Sequence, residues 1–263
     1  MIEIIQDKIA TVNSNNERIN ITREFLQNLV LKILSDQDAF LGISFLGGTA
    51  LRVLFGLKRY SEDLDFSLHD KSKYLFLDIL KKLKKELELM NFQLEIKYKE
   101  KTIDSCFISF IDILQLLKLN IVKEQKLSIK LEIDTNPPQG YKLQASILQN
   151  EFMFPVRHYD LPSLMSGKLH AVLFRKFIKG RDYYDLLWYL NQNITPNFCL
   201  LNNSIKQTEK SHKIVNENNW QKLLKDNLKD QDFIKIQKDV ERFLIYPQEK
   251  KLISWENFKK ILT

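Results

Sequence analysis

The alternation of apolar and polar positions changes character near residue 160. Residues 1–36 are predicted helical, with Thr22 as an N-cap ahead of Phe25, Leu26, Leu29 and Val30. Ile43 to Leu46 reads as a short apolar strand ending at Gly47-Gly48, and Thr49 to Phe55 as a helix that Gly56 can close. Asp63 to Leu68 alternates acidic or polar with apolar positions, the pattern of a half-buried strand. A charged amphipathic helix is predicted over Lys73–Met90. Strands follow over Phe92–Lys99, Ser105–Ile113 and Leu127–Asp134, then a turn at Pro137-Pro138-Gln139-Gly140 and short strands near 143–148 and 151–157. Beyond Pro162 the pattern is helical: Ser163–Arg175, Asp182–Leu190, then several Lys-rich helices. The expected architecture is α+β, with a mixed β-sheet domain and flanking helices over 1–160 and a helical C-terminal domain over 161–263.

Composition narrows the class. A 263-residue chain that is 44% hydrophobic and 28% charged has the balance of a folded protein, not of a disordered one. No run of 18 apolar residues occurs, and the best candidate, Phe45 to Leu57, contains Arg52, so a membrane span is not expected. The N-terminal MIEIIQDKIATVN lacks the apolar core of a secretion signal, and Cys106 and Cys199 make no disulfide or metal framework. The expected location is cytoplasmic. Charge is unevenly placed: residues 1–162 hold 22 basic and 22 acidic side chains, whereas 163–263 hold 18 and 11. The whole +7 therefore lies in the last hundred residues, which permits a polyanionic partner such as nucleic acid, although a lysine-rich solubilising surface has the same composition.

Candidate chemistry begins at the glycines. There are only seven, and Gly42, Gly47, Gly48 and Gly56 fall within fifteen residues. Gly47-Gly48 sits between strand and helix, where missing side chains let backbone N–H groups approach an anion, and Thr49 adds a hydroxyl. In Arg59-Tyr60-Ser61-Glu62-Asp63-Leu64-Asp65-Phe66, strand periodicity puts Asp63 and Asp65 on one side and Leu64 and Phe66 on the other. Paired carboxylates repel unless a cation lies between them, and magnesium, which takes a few carboxylates plus phosphate oxygens, fits best. In Lys130-Leu131-Glu132-Ile133-Asp134, Glu132 and Asp134 share the polar face, and either could complete a three-carboxylate site, with Glu132 preferred.

The stretch FLGGTALRVLFGLKRYSEDLDFSL, from Phe45 to Leu68, resembles the core signature of the AbiEii/AbiGii nucleotidyltransferases. These are toxins of type IV toxin–antitoxin pairs within the DNA polymerase β-like nucleotidyltransferase superfamily. The likeness continues more loosely to Leu190, and Gly48-Thr49 stands where the wider superfamily usually has Gly-Ser. The resemblance implies a nucleotidyltransferase-like sheet domain whose site is completed by the helical domain. Its nucleotide-binding residues would be Gly47, Gly48, Thr49, Arg52, Ser61, Lys168 and Arg175, and its metal ligands Asp63, Asp65 and Glu132.

Lys168, Ala171 and Arg175 share one helical face, as exposed basic residues of an amphipathic helix also would. The resemblance places a Lys-x-x-Ala lysine there to neutralise the triphosphate. In Gly180-Arg181-Asp182-Tyr183-Tyr184-Asp185-Leu186 it implies an aspartate that positions base or acceptor, assigned to Asp185 first and Asp182 second, with Asp182 also suited to a helix N-terminus. Tyr183, Tyr184, Trp188 and Tyr189 could stack bases, but residues at helical spacing more often belong to a core. His69, His158, His170 and His212 show no metal-ligand spacing. The expected reaction moves a nucleoside monophosphate from an NTP to an acceptor hydroxyl, with Mg2+ or Mn2+ as cofactor and pyrophosphate released. The resemblance implies tRNA or other RNA as acceptor and a cognate antitoxin protein as partner. A transferase for small molecules or proteins, and a catalytically silent nucleotide- or RNA-binding module, are the alternatives.

Overall fold

The computed structural model describes residues 1–119, 122, 125–209 and 214–262, so His212 lies outside the described residues. The chain forms two compact units. The first holds Met1–Phe55, Tyr60–Pro137 and Ala145–His158, and the second holds Gly56–Arg59, Pro138–Gln144 and Tyr159–Thr263. Two short pieces that precede Tyr159 thus belong to the second unit, because contacts rather than chain order define it.

The first unit opens with α1 (Ile2–Ile9) and α2 (Asn15–Asp36) in place of one continuous helix. The break follows from Ser14-Asn15-Asn16-Glu17, a capping-box sequence in which the Ser14 hydroxyl accepts from the Glu17 N–H at 3.4 Å. Thr22, expected as the cap, lies inside α2 instead, buried and donating to the Arg18 carbonyl at 2.8 Å. β1 (Ile43–Leu46) leads directly into α3 (Gly47–Phe55), which Gly56 ends at φ +72°. After β2 (Asp63–Leu68), a turn capped by Asp70 at Lys71–Lys73 delays α4 (Phe76–Leu89) by three residues relative to its periodicity. Next come β3 (Leu94–Lys99), β4 (Ile103–Phe110), the single turn α5 (Ile113–Leu116), β5 (Leu127–Asp134), β6 (Leu143–Gln149) and β7 (Met153–Tyr159).

The seven strands form one mixed sheet in the order β3-β4-β5-β2-β1-β7-β6. β2 runs antiparallel to β1 and parallel to β5, while β4 runs antiparallel to both β3 and β5. One face is apolar: Leu64, Phe66, Cys106, Ile108, Phe110, Leu131 and Ile133 are buried in a core shared with residues of α2 and α4. Burying each large apolar side chain contributes roughly 1.5–3 kcal/mol. A one-residue slip of β5 would turn Leu127, Ile129, Leu131 and Ile133 outward together, so the register is strongly fixed. The opposite face then necessarily carries Asp63, Asp65, Lys130, Glu132, Ser105 and Phe107.

The second unit is built on α6 (Leu161–Phe174), α7 (Gly180–Asn191), α8 (Phe198–Glu209), α9 (Trp220–Lys229), α10 (Phe233–Val240) and α11 (Trp255–Ile261). α6 starts at Asp160, whose carboxylate accepts from the Ser163 N–H at 2.9 Å, and Pro162 fits its first turn. A Cβ on Gly180 would strike the Ile236 carbonyl, so α7 and α10 approach closely only because that residue is glycine. Among the described residues no helix is long and apolar enough to cross a membrane.

Candidate active site

In the first unit, local geometry brings a glycine turn against a carboxylate. Leu46 is the register partner of Asp65, so Gly47 follows at the point where β1 turns away into α3. Gly47 has φ +82°, and a Cβ there would overlap the Asp65 carboxylate. Both facts demand glycine. The first amides of α3 have no carbonyl one turn earlier within the helix, which makes a helix start suited to anionic oxygens. Thr49 is buried, and its hydroxyl donates to the Asp63 backbone carbonyl. Its task in this structure is to tie the start of α3 to the start of β2.

Asp63 and Asp65 lie side by side on the polar face of β2, half-buried, while Leu64 between them is fully buried. The parallel register sets Asp65 opposite Glu132 and Asp63 opposite Lys130. Glu132 does reach the face expected of it, but its carboxylate is held by the Lys130 ammonium at 2.7 Å. Asp134 sits opposite Ser67 and accepts from the Asn136 N–H at 2.9 Å, while burial pushes its carboxyl up. Among the described residues, no three His, Cys, Asp or Glu side chains gather as a metal-holding group. Arg52 pairs with Glu24 at 2.8 Å and lies over the Tyr60 ring at 5.1 Å, and the Ser61 carbonyl accepts from Gln27 at 3.2 Å. Those two positions brace α2 and α3 against the loop before β2.

The second unit carries a different electrostatic group. Arg59 and Asp185 are both buried, joined by two parallel bonds of 2.6 Å. Lys168 lies 2.9 Å from Asp185 and 3.0 Å from Asp182, and Arg175 pairs with Asp182 in turn. Two carboxylates thus bind three cations in an alternating chain. Burial alone would raise the Asp185 carboxyl, but the Arg59 guanidinium and Lys168 ammonium overcome it and hold the group below the usual carboxylate range. Burial acts against the charge of Lys168 too, yet Asp185 and Asp182 raise it, so this lysine remains protonated.

Arg59 is the residue that sequence reasoning missed as a functional candidate. The available signal was its place at the head of the Arg-x-Ser-x-Asp-x-Asp pattern, but nothing local marked a buried guanidinium whose partner lies 126 residues away. The aromatic cluster largely packs inward: Tyr183, Tyr184 and Tyr189 are buried, the first two donating to Gln231 at 2.8 Å and Glu249 at 2.6 Å. Trp188, partly exposed, meets Tyr189 edge-on. The described histidines make hydrogen bonds and packing contacts: His69 with Ser44 and Arg157, His158 with Ser146, and His170 with Thr208.

Comparison with solved structures shows a likeness of overall fold. JHP933 from Helicobacter pylori matches with a TM-score of 0.54 at 20% identity, covering 92% of this chain and 91% of its own. A second H. pylori structure, described as a candidate nucleotidyltransferase, matches with the same score and identity over 92% of this chain and 94% of its own. No curated protein matches the chain. The family model of the nucleotidyl transferase AbiEii toxins, of type IV toxin–antitoxin systems, matches residues 29–261, and the chain belongs to that family. It is accordingly a nucleotidyltransferase of the toxin type.

Proposed function

We propose that this toxin transfers a nucleoside monophosphate from an NTP to a hydroxyl of RNA, with tRNA as the first acceptor to test. The observation that carries the reading is the Asp63–Asp65 pair, held on one strand face with Asp65 against the Gly47 turn. Asp63 and Asp65 suit magnesium or manganese, because magnesium is commonly held by one or two carboxylates together with substrate phosphate oxygens. Bound there, the ion would offset the charge of the triphosphate and of the departing pyrophosphate. Glu132, paired with Lys130 at 2.7 Å, would become a third ligand only on leaving that salt bridge.

The chain's own groups have separable tasks. Gly47 and Gly48 present backbone N–H groups to phosphate oxygens, and Thr49 fixes the turn that aims them. Asp63 and Asp65 orient the reacting phosphate, and a carboxylate of this face accepts the proton of the acceptor hydroxyl. Lys168, kept charged by Asp182 and Asp185, is the cation that the family pattern assigns to the triphosphate, with Arg175 beside it on α6. Asp185, buried with both oxygens engaged, acts by holding Lys168 and Arg59 in place, not by touching an acceptor. Rate would come from positioning and charge stabilisation without a covalent intermediate. A cognate antitoxin, expected as a separate protein, would restrain the activity.

The test is to incubate the protein with each α-labelled NTP, magnesium and purified tRNA or total RNA. Label in RNA supports the proposal. Label confined to small molecules or protein moves the acceptor to another class, and bound but uncleaved nucleotide refutes transfer.

A further inference from the structure

The polar sheet face does not end at the carboxylates. From Asp63 the register runs to Lys130 on β5, then Phe107 on β4, then Lys97 on β3. A second row runs from Asp65 through Glu132 and Ser105 to Lys99. All eight positions belong to the first unit, so the strand hydrogen bonds alone fix their order. Phe107 is the anomaly. It is 47% exposed, on the face where its neighbours along β4 are Ser105 and Ser109, while Cys106 and Ile108 fill the core behind it. The Lys130 ammonium lies 5.9 Å from its ring centroid and pairs with Glu132 at 2.7 Å, as Lys97 pairs with Glu95 at 3.4 Å, so both lysines would exchange a carboxylate for phosphate on binding RNA. Edge lysines such as Lys97 and Lys99 are a common guard against strand addition. That explanation does not extend to a half-exposed phenyl ring on the neighbouring strand.

An aromatic ring on an open sheet face, flanked by lysines, is the arrangement by which sheets bind single-stranded nucleic acid: a base stacks on the ring and cations track the backbone. Phe107 is two strands from Asp63, about 10 Å away, which is the rise of about three stacked nucleotides. We propose that Phe107, with Lys97, Lys99 and Lys130, forms a stacking platform for the single-stranded end of the RNA acceptor, steering its terminal hydroxyl toward Asp63 and Asp65. This inference rests on the reading of the enzyme as an RNA nucleotidyltransferase and specifies where the acceptor lies. The platform belongs to β3, β4 and β5, outside the Phe45–Leu68 signature.

The probe is an unstructured, fluorescein-labelled ten-nucleotide RNA whose anisotropy is followed against the full chain and its variants. Phe107→Ala should weaken binding about tenfold or more, and Phe107→Trp should restore it, since any π-face serves. Lys97→Ala with Lys99→Ala should lower the slope of log K against log salt by about 1.4, two phosphate contacts at about 0.7 each. Unchanged binding by Phe107→Ala, or no binding by the wild type, would overturn the platform. So would loss of a protein partner with RNA binding intact, which would give the face to an antitoxin. Retention of the thermal midpoint by Phe107→Ala, together with the Trp rescue, separates stacking from misfolding. Label transfer to RNA is measured independently. Transfer with unaltered Phe107→Ala binding refutes the platform alone, whereas Phe107-dependent binding without transfer refutes the proposed reaction alone.

Discussion

The two aspartate pairs of this protein differ in what surrounds them, and on the proposed reading the difference separates chemistry from architecture. Asp63 and Asp65 stand on a half-open strand face, with a fully buried leucine between them and a glycine turn against Asp65. Asp182 and Asp185 are buried one helical turn apart and neutralised by Arg59, Lys168 and Arg175. Carboxylates accessible to a ligand can exchange partners during a reaction. Buried carboxylates locked by guanidinium groups hold their neighbours still, and removing one leaves a charge stranded in a low-dielectric setting.

The largest expected contrast comes from truncating one member of each pair. Asp63→Ala should lower transfer by about 10³-fold or more while leaving the thermal midpoint close to wild type. Asp185→Ala should instead destabilise the fold by about 3–5 kcal/mol, because Arg59 and Lys168 lose their shared counter-charge. Urea titration reads this change, and a midpoint within error of wild type would remove Asp185 from its structural role. Gly47→Ala lies between the pairs in character: positive φ and the Asp65 contact should cost about 1–3 kcal/mol and also depress activity. Retained stability and activity would show that the turn needs no glycine.

Acidity should distinguish the pairs more gently. The Asp185 carboxyl is held below its ordinary value, so its contribution to stability is fully present above the unfolded value of about 3.9 and fades as pH falls through the lower folded one. The raised Lys168 acts oppositely: its contribution is present below about 10.4 and fades as pH climbs through the higher folded value. Thermal midpoints should therefore form a plateau between these limits, and an acid limb that persists undiminished in Asp185→Asn would assign that limb to other groups.

Much of this arrangement was legible in the sequence, for reasons specific to each part. β5 matches its predicted range, Leu127 to Asp134, because strict alternation admits only one face assignment. Asp63 and Asp65 share a face by the same rule, and the register with β5 then places Glu132 beside Asp65. The salt bridge between Lys130 and Glu132 was not legible, since two residues of one face can pair or part without altering the pattern. Nor was the role of Thr49, whose spacing suggested phosphate but whose hydroxyl serves the Asp63 carbonyl. Arg59 shows the wider reason: a buried ion pair across 126 residues leaves no periodic trace at either end. The helix break before Asn15 was readable in Ser14-Asn15-Asn16-Glu17 but was masked by apolar spacing on both sides.

The proposed chemistry is tested most directly by the isosteric substitution Asp65→Asn, assayed for transfer of labelled nucleotide to RNA and for thermal unfolding in the same preparation. A protein that melts like the wild type yet transfers no label is the expected result. Undiminished labelling would mean that the Asp65 charge has no part in catalysis, and the carboxylate face would no longer be the active site.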